Sequence, residues 1–519
     1  MATFGKNILD SLTTGMYSDS KVIYREYIQN ACDQIDKAID LGIIEKENAS
    51  VDITIDAQER YICIEDNATG VKRDKFITDL GDIANSNKEI GRNKGFRGIG
   101  RLCGLAYCTT LKFTTSYKGE AVASIMTCDA KKMREMLYEN KKYTVDEIWD
   151  SIVKYNYIDE KSDEHYFKVE LIGINRENTV LLNCDEIKRY LSFVAPVPYK
   201  NTFYHFSERI YKYADSIGYC LDEYEIFVNG GQIFKEYTTR LKRQSGANLV
   251  NYDEISDLEF HEYRNDRGKL LAWSWIGLSR FEKSIPKENR MRGLRLRSAN
   301  IQIGNDDVLK DFFKENRGNY YFVGEVFAID KDLIPNSQRD YFNENEMRVA
   351  FEDAIREYFY DVLHKLYTEG NKINNAYKHQ AAYIEKVNEY ESKSKENGFT
   401  SEIERQKLEI EIEEAKKRAE SDRKQLERYD ALDKDSPIAI INRSIKRKYD
   451  ADKLTEQAAT TDIPVGNQSK KSKPYIAEQF SKLSRNERKI VSKILTIITD
   501  NAPKDIAEVI INKIKEEFK

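Results

Sequence analysis

REYIQNACDQID, running from Arg25 to Asp36, sets an acid, an amide and a second acid on one side of a helix. Glu26, Asn30 and Asp33 are spaced by four and three residues, which gives them a common face. Ile28, Ala31, Ile35, Ala38 and Ile39 form the opposite stripe, suited to burial against a sheet, and Ser18 or Asp19 can cap the start. The spacing predicts a helix over Ile23 to Leu41. Alone, such a helix is ordinary surface structure. Two later pieces alter that reading. Asp66 ends the alternating run from Tyr61 to Glu65 and opens a turn that Gly70 can complete at positive φ. Gly95, Gly98 and Gly100 precede Leu102, Leu105 and Ala106, the pattern of a glycine-rich turn entering a helix. The exposed N–H groups of such a turn, together with the helix terminus, favour an anion. No GxxxxGK[ST] sequence occurs, so a P-loop enzyme is not the alternative.

In this order, the three pieces resemble the Bergerat-fold ATPases, the group containing Hsp90 chaperones, DNA gyrase B, MutL, histidine kinases and MORC proteins. The resemblance implies ATP and Mg2+ as ligands and hydrolysis of ATP to ADP and phosphate. It implies Glu26 as the general base that activates water, Asn30 as the magnesium ligand and Asp33 as a supporting polar residue beside the nucleotide. Asp66 would receive the adenine amino group, and Gly70 would shape the base pocket. LGDIANSNK, Leu80 to Lys88, is similar to the start of the Hsp90 lid. It leads into Gly95, Arg97, Gly98, Ile99 and Gly100 as the phosphate-binding turn. The chemistry agrees: a carboxylate and an amide one turn apart serve proton transfer and metal binding from one rigid element. Magnesium keeps several waters, so one Asn plus phosphates is a sufficient ligand set.

The chain departs from the family pattern twice. Ala68 stands where the first glycine of the base-binding strand usually lies. His165-Tyr166 occupies the place of the Gly-Thr pair, whose threonine helps to hold the adenine aspartate. Either another hydroxyl takes over or the site is altered.

A length of 519 residues implies two to four domains. The net charge of -5 gives no global drive toward nucleic acid. MATFGKNILDSL lacks a signal-peptide pattern and no apolar run nears the length of a membrane span, so the expectation is a soluble cytoplasmic protein without membrane contact. The 7 cysteines are scattered without a CxxC pair, which argues against a structural metal.

The expected fold class is α+β. Residues 1–199 form a Bergerat-fold α/β sandwich, with 129–160 as a peripheral insertion, and 200–370 form a transducer-like α+β domain. Strands are expected in GYCLDEYEIFVNGGQIF, LLAWSWIGLS, LRLRSANIQIG and YYFVGEVFAI, followed by a helix around Val349 to Tyr367. Residues 371–457 read as a charged helical hairpin or short imperfect coiled coil broken at Gly398, 458–474 as a linker, and 475–519 as a small helical module. Leu333 to Arg339, LIPNSQR, resembles the Hsp90 middle-domain catalytic loop, which implies that Arg339 reaches the terminal phosphate; the plainer alternative is a surface arginine beside Asp340. The resemblance thus points to a nucleotide-driven protein clamp, a homodimer acting on a protein client. A MutL- or MORC-like clamp on DNA is the alternative, drawing on Arg240, Lys242, Arg243, Arg290, Arg292, Arg295 and Arg297. A nucleotide-gated scaffold in a bacterial defence system is a further one.

Overall fold

Val51, Ile53 and Ile55 alternate with Asp52, Thr54 and Asp56, and that period of two builds a strand with one buried and one exposed face. The structure, a computed structural model, describes residues 5–13, 15, 19–82, 100–396, 398–449 and 483–518. It divides into one unit of Met1–Gly277 with Ser284–His364 and another of Leu278–Lys283 with Lys365–Lys519.

In the first unit, α1 (Asn7–Leu12) and α2 (Val22–Asp40) precede β1 (Ser50–Asp56), β2 (Tyr61–Asp66) and α3 (Arg73–Gly81). Next come β3 (Cys108–Ser116), β4 (Val122–Asp129), α4 (Ala130–Tyr138), α5 (Val145–Ile152), β5 (Val153–Asp159) and β6 (Tyr166–Ile174). α6 (Cys184–Val194), α7 (Tyr204–Ser216), β7 (Glu225–Val228) and β8 (Gly231–Gln232) follow. The eight strands form one sheet in the order β5-β4-β3-β6-β2-β1-β7-β8, antiparallel except where β7 runs parallel to β1. Ile28, Ala31, Ile35 and Ala38 of α2 pack in the same core as Val51, Ile53, Ile62, Ile64, Leu111 and Phe113 of the sheet. The apolar stripe read from the sequence is therefore the buried one.

Two expectations are corrected. Residues 129–160 are not peripheral: α4 and α5 bury Met133, Ile148 and Ile152 in this core, and β5 extends the sheet. Their Lys-, Glu- and Tyr-rich composition hides three well-spaced apolar anchors. The strands of GYCLDEYEIFVNGGQIF join the first sheet rather than a second one, because β1 offers β7 an open edge that sequence spacing does not reveal.

The remaining strands are β9 (Arg240–Ser245), β10 (Asn248–Glu254), β11 (Asp257–Arg264), β12 (Leu270–Leu278), β13 (Gly293–Ser298), β14 (Ile301–Ile303) and β15 (Val323–Ala328). β9 and β10 form a separate hairpin, and the others a sheet in the order β11-β12-β15-β13-β14. α8 (Glu346–Tyr358) follows, with a π-helical turn at Phe359–Leu363. At the centre of β15, Glu325 is fully buried and meets Lys235 Nζ at 3.0 Å, the Tyr237 hydroxyl at 3.1 Å, and the Arg297 guanidinium. Arg297 also donates to the Phe193 and Asn300 carbonyls at 2.6 and 2.7 Å. Arg295 is buried as well, donating to Gln302 and resting over the Phe193 ring. These two arginines are internal framework rather than surface charge.

The second unit contains α9 (His364–Lys395, whose first residue belongs to the first unit), α10 (Glu402–Asp430), α11 (Pro437–Lys448), α12 (Arg485–Asn501) and α13 (Lys504–Glu517). His379–Asp422, Lys386–Glu411 and Lys393–Glu404 pairs descend one helix as they climb the other, so α9 and α10 are an antiparallel hairpin around Ile384, Val387, Leu408 and Ile412. Ser401 caps α10 as its sequence suggests. On α12 and α13, Ile490, Ile494, Ile497, Ile506 and Val509 are exposed. The 458–474 linker lies outside the described residues. No helix among the described residues is long and apolar enough to cross a membrane.

Burial alone would raise the Glu325 carboxyl, but Arg297 and Lys235 outweigh it and lower it from 4.5 to about 2. Its contribution is therefore present above about pH 4.5 and is lost as pH falls toward 2. Glu325→Gln leaves two buried cations unpaired and is expected to destabilise the fold by about 3–5 kcal/mol in urea unfolding at neutral pH. The variant's stability should also fall less steeply with acid than that of the wild type.

Candidate functional site

Helix α2 carries polar groups where a surface helix would be wet. Glu26 is 7% exposed and Asp33 5%, with Asn30 half-buried between them. The side chains before and within this stripe are also enclosed: Arg25 and Gln29 are buried. Tyr27 stitches α2 to the segment Gly100–Ala106. Its hydroxyl donates to the Arg101 carbonyl at 3.0 Å and accepts from Gly104 N at 3.1 Å. That segment is a 3-10 helix, tighter than the helix expected after the glycine turn. The contact brings Gly100 so close that a Cβ there would lie 2.7 Å from Glu26 Oε2. Burial pushes the Cys103 thiol up, and the Glu26 carboxylate adds to the effect. Asn30 offers an amide oxygen, a hard donor of the kind that magnesium accepts. Gly95, Arg97, Gly98 and Ile99 lie outside the described residues.

The base-side turn begins at Asp66, the last residue of β2. Its Oδ1 accepts Ala68 N at 3.1 Å, closing a local turn. Ala68 has no positive φ, so the alanine in place of glycine costs nothing. Gly70 has φ +63, and a Cβ on it would fall 1.8 Å from the Ser116 carbonyl oxygen. The hydroxyl that holds this turn is Thr115 on β3, which accepts Val71 N at 2.9 Å and donates to the Tyr166 carbonyl at 2.8 Å. Thr69 donates to Gln34 of α2 at 3.0 Å, tying the turn to the helix with the polar stripe. Sequence reasoning missed Thr115 and Gln34, because each acts through a neighbour far along the chain.

Arg339 is buried, with φ +53, at the end of a loop folded on itself by Arg339 N to Asn336 O at 3.1 Å. A left-handed conformation in a long side chain persists only when its surroundings enforce it. Gly304 N donates to the Arg339 carbonyl at 2.8 Å and supplies part of that enforcement. The reading of Arg339 as an exposed surface residue is thereby excluded. Beside it, the Gln338 carbonyl accepts from Arg25 Nη2 at 3.0 Å, and the same nitrogen lies 3.4 Å from Glu26 Oε1. The first turn of α2 and the loop that ends at Arg339 therefore meet through one guanidinium. Arg25 carried no signal in the sequence beyond its place next to Glu26.

Gly70→Ala combines a backbone clash with a disfavoured φ, and there is no flexible group to yield. We expect it to destabilise the first unit by more than about 2 kcal/mol in thermal or urea unfolding. Ala68→Gly should stay within about 1 kcal/mol of the wild type.

Residues 17–163 match the family model described as histidine kinase-, DNA gyrase B-, and HSP90-like ATPase. Among similar proteins, the chaperone protein HtpG of Nitrobacter winogradskyi is 38% identical over 85 residues, which is 15% of this chain and 13% of that protein. HtpG of Gluconobacter oxydans is 33% identical over 84 residues, 15% of this chain and 14% of the relative. HtpG of Helicobacter acinonychis is 32% identical over 85 residues, with the same coverage. The chain thus spans about a seventh of the length of the curated relatives it matches. The matched span contains the α2 stripe, the Asp66 turn and the Gly100 segment, and it is an ATPase domain of the GHKL type with partial, distant homology to the Hsp90 family.

Proposed function

We propose that this chain is a magnesium-dependent ATPase working as a nucleotide-driven protein clamp, in which ATP binding and hydrolysis are coupled to lid closure and to the position of the Leu333–Arg339 loop. The observation that carries this reading is the double contact of Arg25, to the Gln338 carbonyl at 3.0 Å and to Glu26 at 3.4 Å. A loop 313 residues downstream shares a side chain with the proposed base. Its movement therefore cannot leave Glu26 unaffected.

In this reading Glu26 accepts the proton of a water aligned with the terminal phosphate. Arg339 stabilises the charge that builds on the phosphate oxygens, and it does so only when its loop is close. Asn30 would hold magnesium, which would supply charge to offset that of the phosphate oxygens, and Asp33 extends the polar wall. Asp66 accepts the adenine amino group in the pocket shaped by Gly70. Gly95, Gly98, Ile99 and Gly100 offer backbone N–H groups to the phosphates, with Arg97 as a nearby cation. The nucleotide biases an open-to-closed equilibrium by binding the closed form more tightly. The output we assign is work on a protein client by a homodimer, supported by the exposed isoleucines of α12 and α13, which need a partner surface.

Phosphate release and calorimetric ATP titration with magnesium test the assignment. Glu26→Ala should lower kcat about 100- to 10,000-fold with ATP affinity nearly retained. Arg339→Ala should lower kcat about 100-fold or more, again with binding intact. A Glu26→Ala protein that hydrolyses ATP at the wild-type rate removes Glu26 from the role of base.

A further inference from the structure

The turn that presents Asp66 is held by His165, just before β6, by Tyr166, the first residue of β6, and by Thr115. His165 Nδ1 lies 2.8 Å from the Ala68 carbonyl oxygen. A carbonyl only accepts, so Nδ1 carries the proton and donates. Ala68 in turn donates its own N–H to Asp66 Oδ1 at 3.1 Å. The imidazole therefore holds the residue that orients the carboxylate. On the far side of the turn, Val71 N donates to Thr115 Oγ1, which donates to the Tyr166 carbonyl. The entry to β6 thus reaches the turn twice, directly through His165 and indirectly through Tyr166 and Thr115. Asn67 fixes the remaining corner: its Oδ1 accepts Ser50 N at 2.9 Å and its Nδ2 donates to the Asn48 carbonyl at 2.8 Å.

Resting on the nucleotide-binding reading, we propose that His165, with Thr115, is a positioning residue that preforms the base-reading turn and so sets the preference for adenine over guanine. A carboxylate discriminates the two bases because adenine offers an amino donor where guanine offers a carbonyl acceptor. That discrimination holds only while the carboxylate is fixed. A loosened turn lets the acid swing away from a repelling base, so selectivity falls before hydrolysis does. His165 sits where no other described side chain is hydrogen-bonded to the Ala68 carbonyl, and it is half-buried, so its replacement leaves the core intact.

The test is calorimetric titration of the full chain with ATP and with GTP, in magnesium, for wild type, His165→Leu and His165→Asn. Thermal unfolding checks that each variant is folded. An Asn amide nitrogen can occupy the place of Nδ1 and donate, whereas Leu cannot. We expect His165→Leu to weaken ATP binding about fivefold, the factor that one hydrogen bond of typical net strength corresponds to, with GTP binding unchanged. His165→Asn should remain within about twofold of the wild type, and kcat at saturating ATP should be unchanged in both. Equal ATP affinity in wild type and His165→Leu overturns the proposal, as does an equal loss in both variants or a loss confined to kcat. If the wild-type chain binds no ATP, the nucleotide reading itself falls and the role of His165 falls with it. A wild type that binds ATP beside an indifferent His165→Leu overturns the role of His165 alone and leaves the nucleotide reading standing.

Discussion

Helix α2 has to be buried on its polar side as well as its apolar side, and the first unit is arranged around that requirement. A carboxylate shut away from water needs fixed partners, and it also stays where those partners hold it. Arg25 and the backbone at Gly100 flank Glu26, while Tyr27 and Gln34 tie the same helix to Gly100–Ala106 and to the Asp66 turn. Three segments distant in sequence, Gly100–Ala106, the Asp66 turn and the loop at Gln338, are thus referred to one rigid rod. Proton transfer tolerates little misplacement, and a rod with its polar groups locked is a suitable place to mount a base.

Much of this was legible beforehand, for identifiable reasons. The 3.6 period of the apolar stripe in α2 and the alternating run of β2 are local patterns, so the helix lies within a residue of its expected bounds and β2 ends at Asp66 as its alternating run suggests. The candidates Glu26, Asp33 and Asp66 stood out because their residue types and spacing suggest chemistry. Thr115, Gln34 and Arg25 could not, and His165 drew no role, since their parts depend on contacts with residues 35 to 313 positions away. Sheet order was equally hidden: nothing in the composition of β7 says that it pairs with β1. The strands β9, β10 and β11 were also missed, as charged residues such as Arg240, Lys242 and Glu259 interrupt their apolar pattern.

The Glu325 cluster follows another logic. One anion shared by Lys235 and Arg297 in a dry interior is a poor way to gain stability compared with apolar packing. It does fix orientation, because every member has a single partner geometry: Tyr199, Tyr237 and Trp275 all direct polar atoms at the same carboxylate. The segment after α6 and the second sheet are thereby held in one register. Arg295 and Arg297 look like a basic stripe when the strand is read alone, and their burial shows how little a run of like charges says about surface until the opposing strand is known.

α9 is also long and laterally braced. At 32 residues and 1.5 Å per residue it is about 48 Å long, and α10 braces it through ion pairs and a small apolar seam. A braced helix resists bending, so a tilt of about 10° at one end carries the other through about 8 Å by simple leverage. The hairpin can therefore turn a small angular change into a large excursion without breaking any of its own hydrogen bonds.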